Sequence, residues 1–290
     1  MRAYLPEYEL VVPRTLEDAL ALLRDEPGVW RPFAGGTDLM VLLEAGKLEQ
    51  RKFFSIAHLR ELRGIVESGE FVQLGALTTY TDLRRSGLLA REYPMLAQAA
   101  SETGGLAIQN RGTIGGNIAN ASPAADSPPA LLAYGADVEL LSASGARWVE
   151  YASFHTGYKR MLMRADELIT RVRLRRPREG ARHFYRKVGT RRAQAISKIC
   201  FAALAETGEG GAFGEVRIAL GSVAPTVVRC RETESILRGR APGEETLKES
   251  LDAIARDVSP IDDIRSTARY RLRVTRNLLA EFLSDKGVTR

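Results

Sequence analysis

Two short segments with paired glycines constrain this chain more than any other feature: Phe33-Ala34-Gly35-Gly36-Thr37-Asp38-Leu39 and Gly112-Thr113-Ile114-Gly115-Gly116-Asn117. Adjacent glycines let a backbone pass close to a bulky anion, and successive N–H groups in a turn form an anion-binding hollow. Thr37, Thr113 and Asn117 add side-chain donors. One glycine pair is ordinarily just a turn. Two of them, each reading as strand-like before and polar after, point to a dinucleotide. The usual nucleotide signatures are missing: no Gly-x-Gly-x-x-Gly opens a helix, and Gly46-Lys47 lacks the upstream glycine of a phosphate loop. No Ser–His–Asp arrangement stands beside either segment.

Around these loops the pattern is mixed. Glu9–Val12 reads as a strand ended by Pro13, and Thr15 with Asp18 reads as the cap of a helix carrying Ala19, Leu20, Leu22 and Leu23. Strand signals recur at 31–34, 52–57, 71–76, 138–141 and 168–174, and helix signals near 81–86, 94–101 and 128–134. The run Arg175-Arg176-Pro177-Arg178-Glu179-Gly180 reads as a linker. Beyond it, two long strands at 195–206 and 215–222 flank a glycine-rich turn, and three helices follow near 232–238, 246–256 and 268–283. On the last, Ala268, Leu272, Thr275, Leu279 and Phe282 share a face. The fold class is α+β in two domains, 1–176 and 181–290, the first in two parts at about 1–57 and 58–176.

Composition narrows the chemistry. Two cysteines, Cys200 and Cys230, and three scattered histidines, His58, His155 and His183, cannot build a four-ligand metal or iron–sulfur site in this chain. Cys200 reads as a small buried thiol. Redox chemistry here therefore calls for a bound organic cofactor. No stretch approaches the ~20 unbroken apolar residues of a membrane helix, and the N-terminus lacks a secretory pattern, so the expected location is cytoplasmic. The net charge is +6, and 13 Lys or Arg between Tyr158 and Arg192 face only Asp166, Glu167 and Glu179. That stretch reads as a solvated arginine-rich surface, a face for an anionic cofactor or acidic partner, or a nucleic-acid surface, although the aromatic interleaving of a stacking platform is sparse.

The string from Thr113 to Pro129, Thr-Ile-Gly-Gly-Asn-Ile-Ala-Asn-Ala-Ser-Pro-Ala-Ala-Asp-Ser-Pro-Pro, resembles the second FAD loop of the molybdenum hydroxylase flavoproteins. These are the medium subunits of carbon monoxide and nicotinate dehydrogenases and the flavin domain of xanthine dehydrogenase. Ala34-Gly35-Gly36-Thr37-Asp38-Leu39 is similar to the family's first loop. Tyr185 to Ala193 with Ala195-Ile196-Ser197, and Gly221 to Thr226, resemble later family segments. The matches run in order along essentially the whole chain.

The resemblance implies a two-part PCMH-type FAD-binding domain followed by a smaller α+β domain with an antiparallel sheet and helices. It implies that Ala34, Gly35, Gly36, Thr37, Asp38 and Leu39, with Thr113, Ile114, Gly115, Gly116 and Asn117, cradle the FAD diphosphate. It places Asn120 and Asp126 at the ribityl or isoalloxazine region, Leu168 near the ring and Lys187 approaching it, with no catalytic residue. Plainer roles compete: Asp126 as cap of the helix at Pro128, Leu168 as core, Lys187 as one more surface cation. The implied partners are a small subunit with two [2Fe–2S] clusters and a large subunit with the molybdenum cofactor, in a two-fold dimer of heterotrimers. Thr37-Asp38 stands where the carbon monoxide branch carries His-Ser, which favours the aromatic or heterocyclic branch. The absence of a cysteine-bearing insertion removes the extra cluster of one reductase branch. The rival readings are a stand-alone flavin oxidoreductase such as an enolpyruvyl reductase, for which no acid near the flavin is evident, and a non-catalytic binding module.

Overall fold

A computed structural model describes residues 7–191 and 194–284. Arg192 and Ala193 of the third family-like segment lie outside them.

The first lobe comprises β1 (Glu9–Val11), α1 (Leu16–Asp25), β2 (Trp30–Phe33), α2 (Thr37–Glu44) and β3 (Lys52–Ser55), with a parallel sheet in the order β1-β3-β2. Thr15 accepts the Asp18 N–H at 3.1 Å and Asp18 accepts the Thr15 N–H at 3.1 Å, the reciprocal cap that the sequence announces. It starts α1 at a fixed point, so that Ala19, Leu20 and Leu23 turn inward onto Trp30 and Phe54.

The second lobe begins with β4 (Ile65–Ser68) and β5 (Phe71–Gly75), followed by the helices α3 (Tyr80–Arg85), α4 (Gly87–Glu92), α5 (Pro94–Glu102), α6 (Leu106–Gln109), α7 (Ile114–Asn120) and α8 (Ser127–Ala133). It continues with β6 (Asp137–Ser142), β7 (Gly145–Glu150), α9 (Tyr151–Phe154), the hairpin β8 (His155–Gly157) with β9 (Arg160–Met161), and β10 (Leu168–Arg175). Its sheet is antiparallel in the order β4-β5-β10-β6-β7. Along β10 the side chains alternate: Val172 and Leu174 enter the core, whereas Arg171, Arg173 and Arg175 point outward to Glu139, Asp137 and Glu70. Arg176, Arg178 and Arg186 pair with Glu67, Glu206 and Glu281. The basic stretch is thus distributed over strand faces and ion pairs, not gathered into one cationic track.

The C-terminal domain contains β11 (Arg182–Val188), β12 (Ile199–Thr207), β13 (Phe213–Gly221), β14 (Val228–Arg229), α10 (Arg231–Leu237), α11 (Glu244–Asp257) and α12 (Ala268–Ser284), in a sheet ordered β11-β12-β13-β14. The first seven residues of β12 are all buried because both faces of the strand are covered. Phe201, Ala203 and Ala205 pack on the α11–α12 layer through Ile254, Leu279 and Phe282, and Cys200, Ala202 and Leu204 pack on the first domain's core. This is the continuous apolar signature of a two-sided strand, and it fuses the two domains.

Two expectations are corrected. The second glycine segment does not follow a strand: it comes after α6, and its glycines fall in the first turn of α7. The strand expected from Ala195 starts at Ile199, because Ser197 turns away to hydrogen-bond Asp126 at 2.6 Å.

Candidate functional site

Motif one, the glycine segment Phe33–Leu39, lies where β2 passes into α2. Gly36 takes φ 77°, a left-handed conformation in which a side chain would be strained, and a Cβ there would lie 2.5 Å from the Phe33 ring. At Gly35 a Cβ would fall 1.9 Å from the Arg111 carbonyl oxygen, so only glycine lets the approach to motif two pass this close. The Arg111 guanidinium donates to the Gly35 carbonyl at 3.2 Å. Leu39 is buried with Leu48 and Phe53 and anchors α2, while Ala34 packs partly against the α1 core. The first-turn N–H groups of α2 carry its positive dipole end. They open on a cleft of about 550 Å³ lined by Gly35, Gly36, Thr37, Met40, Ile108 and Arg111.

Motif two, the glycine segment Gly112–Asn117, is closed. Ile114 N–H donates to Thr78 at 3.0 Å, Gly115 N–H to Ala76 at 2.9 Å, Gly116 N–H to the Thr113 hydroxyl at 3.1 Å and Asn117 N–H to the Thr113 carbonyl at 2.9 Å. Asn117 accepts from the Ser127 hydroxyl at 2.8 Å. Ile114 is fully buried, and a Cβ at Gly115 would lie 2.6 Å from the Ala76 side chain. The glycine at 115 therefore serves helix packing, and the expected hollow of free amides is not formed here.

The loops are tied together at the mouth. Asn120 donates to Asp38 at 2.9 Å, and the Lys159 ammonium donates to the Asn120 side-chain oxygen at 2.6 Å and to its carbonyl. Lys159 sits in the β8–β9 turn at φ 57°, a conformation that costs a lysine about 1–2 kcal/mol. Asp38 is solvent-accessible as a residue, yet its carboxyl is partly desolvated and raised above its ordinary value, against the pull of Lys159 and Arg31. Burial lowers the Lys159 ammonium, opposed by Asp38. Nothing in local patterning marks Lys159, since its meaning is its position across from Asn120. Arg111 is marked by its place, one residue before motif two and beside the Gly35 carbonyl.

Asp126 is not the helix cap that its position suggested. Its carboxylate makes no cap bond to α8 but meets Lys187 at 2.6 Å and Ser197 at 2.6 Å. The Lys187 side chain is 1% exposed and donates also to the Glu102 carbonyl at 2.8 Å, so it is no surface cation. Burial pushes the Asp126 carboxyl up, with Lys187 pulling it down. Tyr185 donates to the Asp126 carbonyl at 3.0 Å, and the Cys200 thiol, itself pushed up by burial, lies 3.2 Å from the Tyr185 hydroxyl. The structure thus joins Asp126 and Lys187 across the domain seam. Leu168 is buried with Leu77, Phe54 and Leu20 in the core behind the first lobe. A larger groove, about 1790 Å³, follows the linker past Arg176, Arg178 and His183 and touches neither glycine loop.

A cleft with a helix N-terminus at one wall, Arg111 beside it and Met40 and Val41 exposed at its rim suits a ligand that is anionic in one part and flat and apolar in another. The residues fit FAD through motif one and fit it only by side chains and close approach at motif two. Among the described residues no group of His, Cys, Asp and Glu could hold a metal ion.

Residues 6–177 match the family described as the FAD binding domain in molybdopterin dehydrogenase, and residues 183–285 match the CO dehydrogenase flavoprotein C-terminal domain. The chain is 34% identical to the xanthine dehydrogenase FAD-binding subunit of Escherichia coli O157:H7, covering 93% of each, and 30% identical to the carbon monoxide dehydrogenase medium chain of Hydrogenophaga pseudoflava, covering 92% of each. A solved carbon monoxide dehydrogenase from the latter organism superposes with a TM-score of 0.91 at 29% identity, over 96% of both chains. The open motif-one cleft, the two-domain α+β architecture and these matches along nearly the whole length agree: the chain belongs to the FAD-binding flavoprotein subunits of the xanthine and carbon monoxide dehydrogenase-type molybdenum hydroxylases, a family of oxidoreductases.

Proposed function

We propose that this chain holds FAD in the motif-one cleft and relays electrons from [2Fe–2S] clusters on a small partner subunit to an external acceptor. Substrate would be oxidised at a molybdenum cofactor on a large partner. Bound FAD supplies the redox chemistry, accepting electrons singly or in pairs and passing them on. The chain's residues bind and orient. Gly35 and Gly36 admit the diphosphate to the first-turn amides of α2, Arg111 adds positive charge, and Asp38 with Asn120 fixes the spacing of the two loops. Asp126 and Lys187 hold the C-terminal domain against the FAD-binding domain through a buried ion pair.

The observation that carries this reading is the open helix N-terminus at Gly36–Thr37, facing a cleft with the Arg111 guanidinium beside it. Relatives named for xanthine, nicotinate and carbon monoxide are similar along nearly the whole chain, and in this proposal the Thr37-Asp38 pair favours the heterocycle-oxidising branch. A dimer of heterotrimers in the cytoplasm is part of the proposal. The test is to purify the chain alone and in its complex. One FAD per chain, no turnover alone and flavin bleaching on adding substrate to the complex support it. A colourless chain, or turnover of an enoyl substrate by the isolated chain, overturns it.

A further inference from the structure

Motif two spends every backbone amide from 114 to 117 inside the protein, so a donor that it offers to a ligand has to be a side chain. Asn117 is placed for that. It stands on α7 between two contacts with motif one: Gly35 against the Arg111 carbonyl at one end, and Asn120 donating to Asp38 at 2.9 Å at the other. Asn117 and Asn120, three residues apart, share a helix face. The half-buried Asn117 accepts from the Ser127 hydroxyl at 2.8 Å, and its amide nitrogen has no partner among the described residues.

The direction of that amide follows from the protons behind it. Ser127 is fully buried, and the hydroxyl of Tyr80, a residue only 2% exposed, lies 3.4 Å from it. Burial pushes the Tyr80 hydroxyl well up, so it keeps its proton. With Tyr80 donating to Ser127 and Ser127 donating to Asn117, both hydroxyl protons are used. With the amide reversed, Asn117 would donate to Ser127 and Ser127 to Tyr80. The Tyr80 proton would then be stranded in the interior, where an unmade hydrogen bond is costly. The first arrangement wins, and it turns the Asn117 NH2 group outward.

We propose that Ser127 is a positioning residue for the cofactor, holding the Asn117 amide so that its NH2 group, and not its oxygen, meets the FAD diphosphate. The inference rests on the function proposed above. Sign decides the chemistry: diphosphate oxygens accept hydrogen bonds, so an amide NH2 attracts them and a carboxamide oxygen repels them. An asparagine free to turn would present either end. Ser127 removes that choice before the ligand arrives, which lowers the cost of ordering the site on binding. Its neighbour adds a second tie. The Asp126 carboxylate reaches Lys187 at 2.6 Å across the domain seam, while the next residue's hydroxyl reaches motif two. One dipeptide thus links the donor on α7 to the packing of the two domains.

The test is a double-mutant cycle on the full chain, with FAD titrated into flavin-free protein and stability followed separately by urea denaturation. Ser127→Ala is expected to weaken FAD about tenfold, and Asn117→Ala at least as much. The double variant should bind FAD no worse than Asn117→Ala alone, because Ser127 acts only through that amide. Tyr80→Phe removes one oxygen and keeps the ring. It should weaken FAD about threefold in the parent and not at all beside Asn117→Ala, and it carries the cycle if Ser127→Ala does not fold. FAD affinity unchanged by the hydroxyl deletion overturns the proposal. Losses that simply add in the double variant overturn it too, since they make Ser127 a structural residue. A parent chain that binds no FAD ends the cofactor reading itself, a failure seen before any substitution is made.

Discussion

Motif one and motif two carry the same glycine pair and a threonine, yet the structure uses them oppositely. At Gly35–Gly36 the pair creates an opening: one glycine lets two loops touch, the other turns the chain left-handed so that the first amides of α2 face a cleft. At Gly115–Gly116 it creates a closure, with every amide from 114 to 117 hydrogen-bonded inside the protein and Gly115 set against Ala76. Two similar strings therefore divide the work: one offers donors to a ligand, and the other fixes the wall that the ligand meets. The lesson is that a glycine pair announces close approach but not what approaches.

The largest effect expected concerns the stretch just after motif two. Lys187→Met strands the Asp126 carboxylate in the seam, a loss of about 3–5 kcal/mol, to be read by urea denaturation. Adding Asp126→Asn should recover most of it. If the single variant is as stable as the parent, the pair does not hold the domains.

Gly115→Ala and Gly36→Ala test the division itself. Gly115→Ala forces contact with Ala76 and should cost about 1–3 kcal/mol of stability, with FAD affinity of the folded fraction nearly unchanged. Gly36→Ala strains a left-handed residue by about 1 kcal/mol, and by moving the α2 amides should weaken FAD roughly tenfold, or 1.4 kcal/mol. Titration calorimetry beside thermal melts separates the two. Identical profiles for both variants would mean that the two glycine pairs do the same work.

Acid should act on the seam before it acts on the cleft. The His183 ring accepts or donates at 3.0 Å to Tyr134 across the domains, and burial pushes it down to about 4. A histidine depressed in the folded state takes up its proton more readily when unfolded. Its contribution is therefore complete above about 6.5, the ordinary value, and is lost as pH falls from there towards 4. His183→Gln should flatten the stability curve in that window, and an unchanged slope would remove His183 from the account. The smallest effect belongs to Lys159→Gly, which relieves left-handed strain but unties Asn120. Melting temperature should stay within a few degrees, while FAD affinity drops several-fold.

Much of this was legible in residue order. The Thr15–Asp18 cap, the strand at 168–174 and the seven-residue apolar run that opens β12 follow from local chemistry: hydrogen-bond reach over three residues, strand-favouring residue types, and burial of both strand faces. Motif one was legible for the same reason, since a left-handed glycine leading into a helix is a local event. Motif two was only half legible. Thr113 does cap a helix, but whether Gly115 N–H is free depends on the Ala76 carbonyl, thirty-nine positions away. Asp126 shows the limit most clearly, because the pattern Asp-Ser-Pro-Pro offers a helix cap and the carboxylate instead chose Lys187 and Ser197 from the other domain.

The sequence alone determined most of the longer elements, the two-domain α+β plan and the glycine-bearing loops, because each depends on torsions and periodicities within a few residues. Only the tertiary structure decided which amides remain for a ligand, which cation faces which carboxylate and where Lys159 and Ser127 stand. Those outcomes depend on which distant groups reach a polar atom first and exclude water from it, and no local pattern encodes that competition.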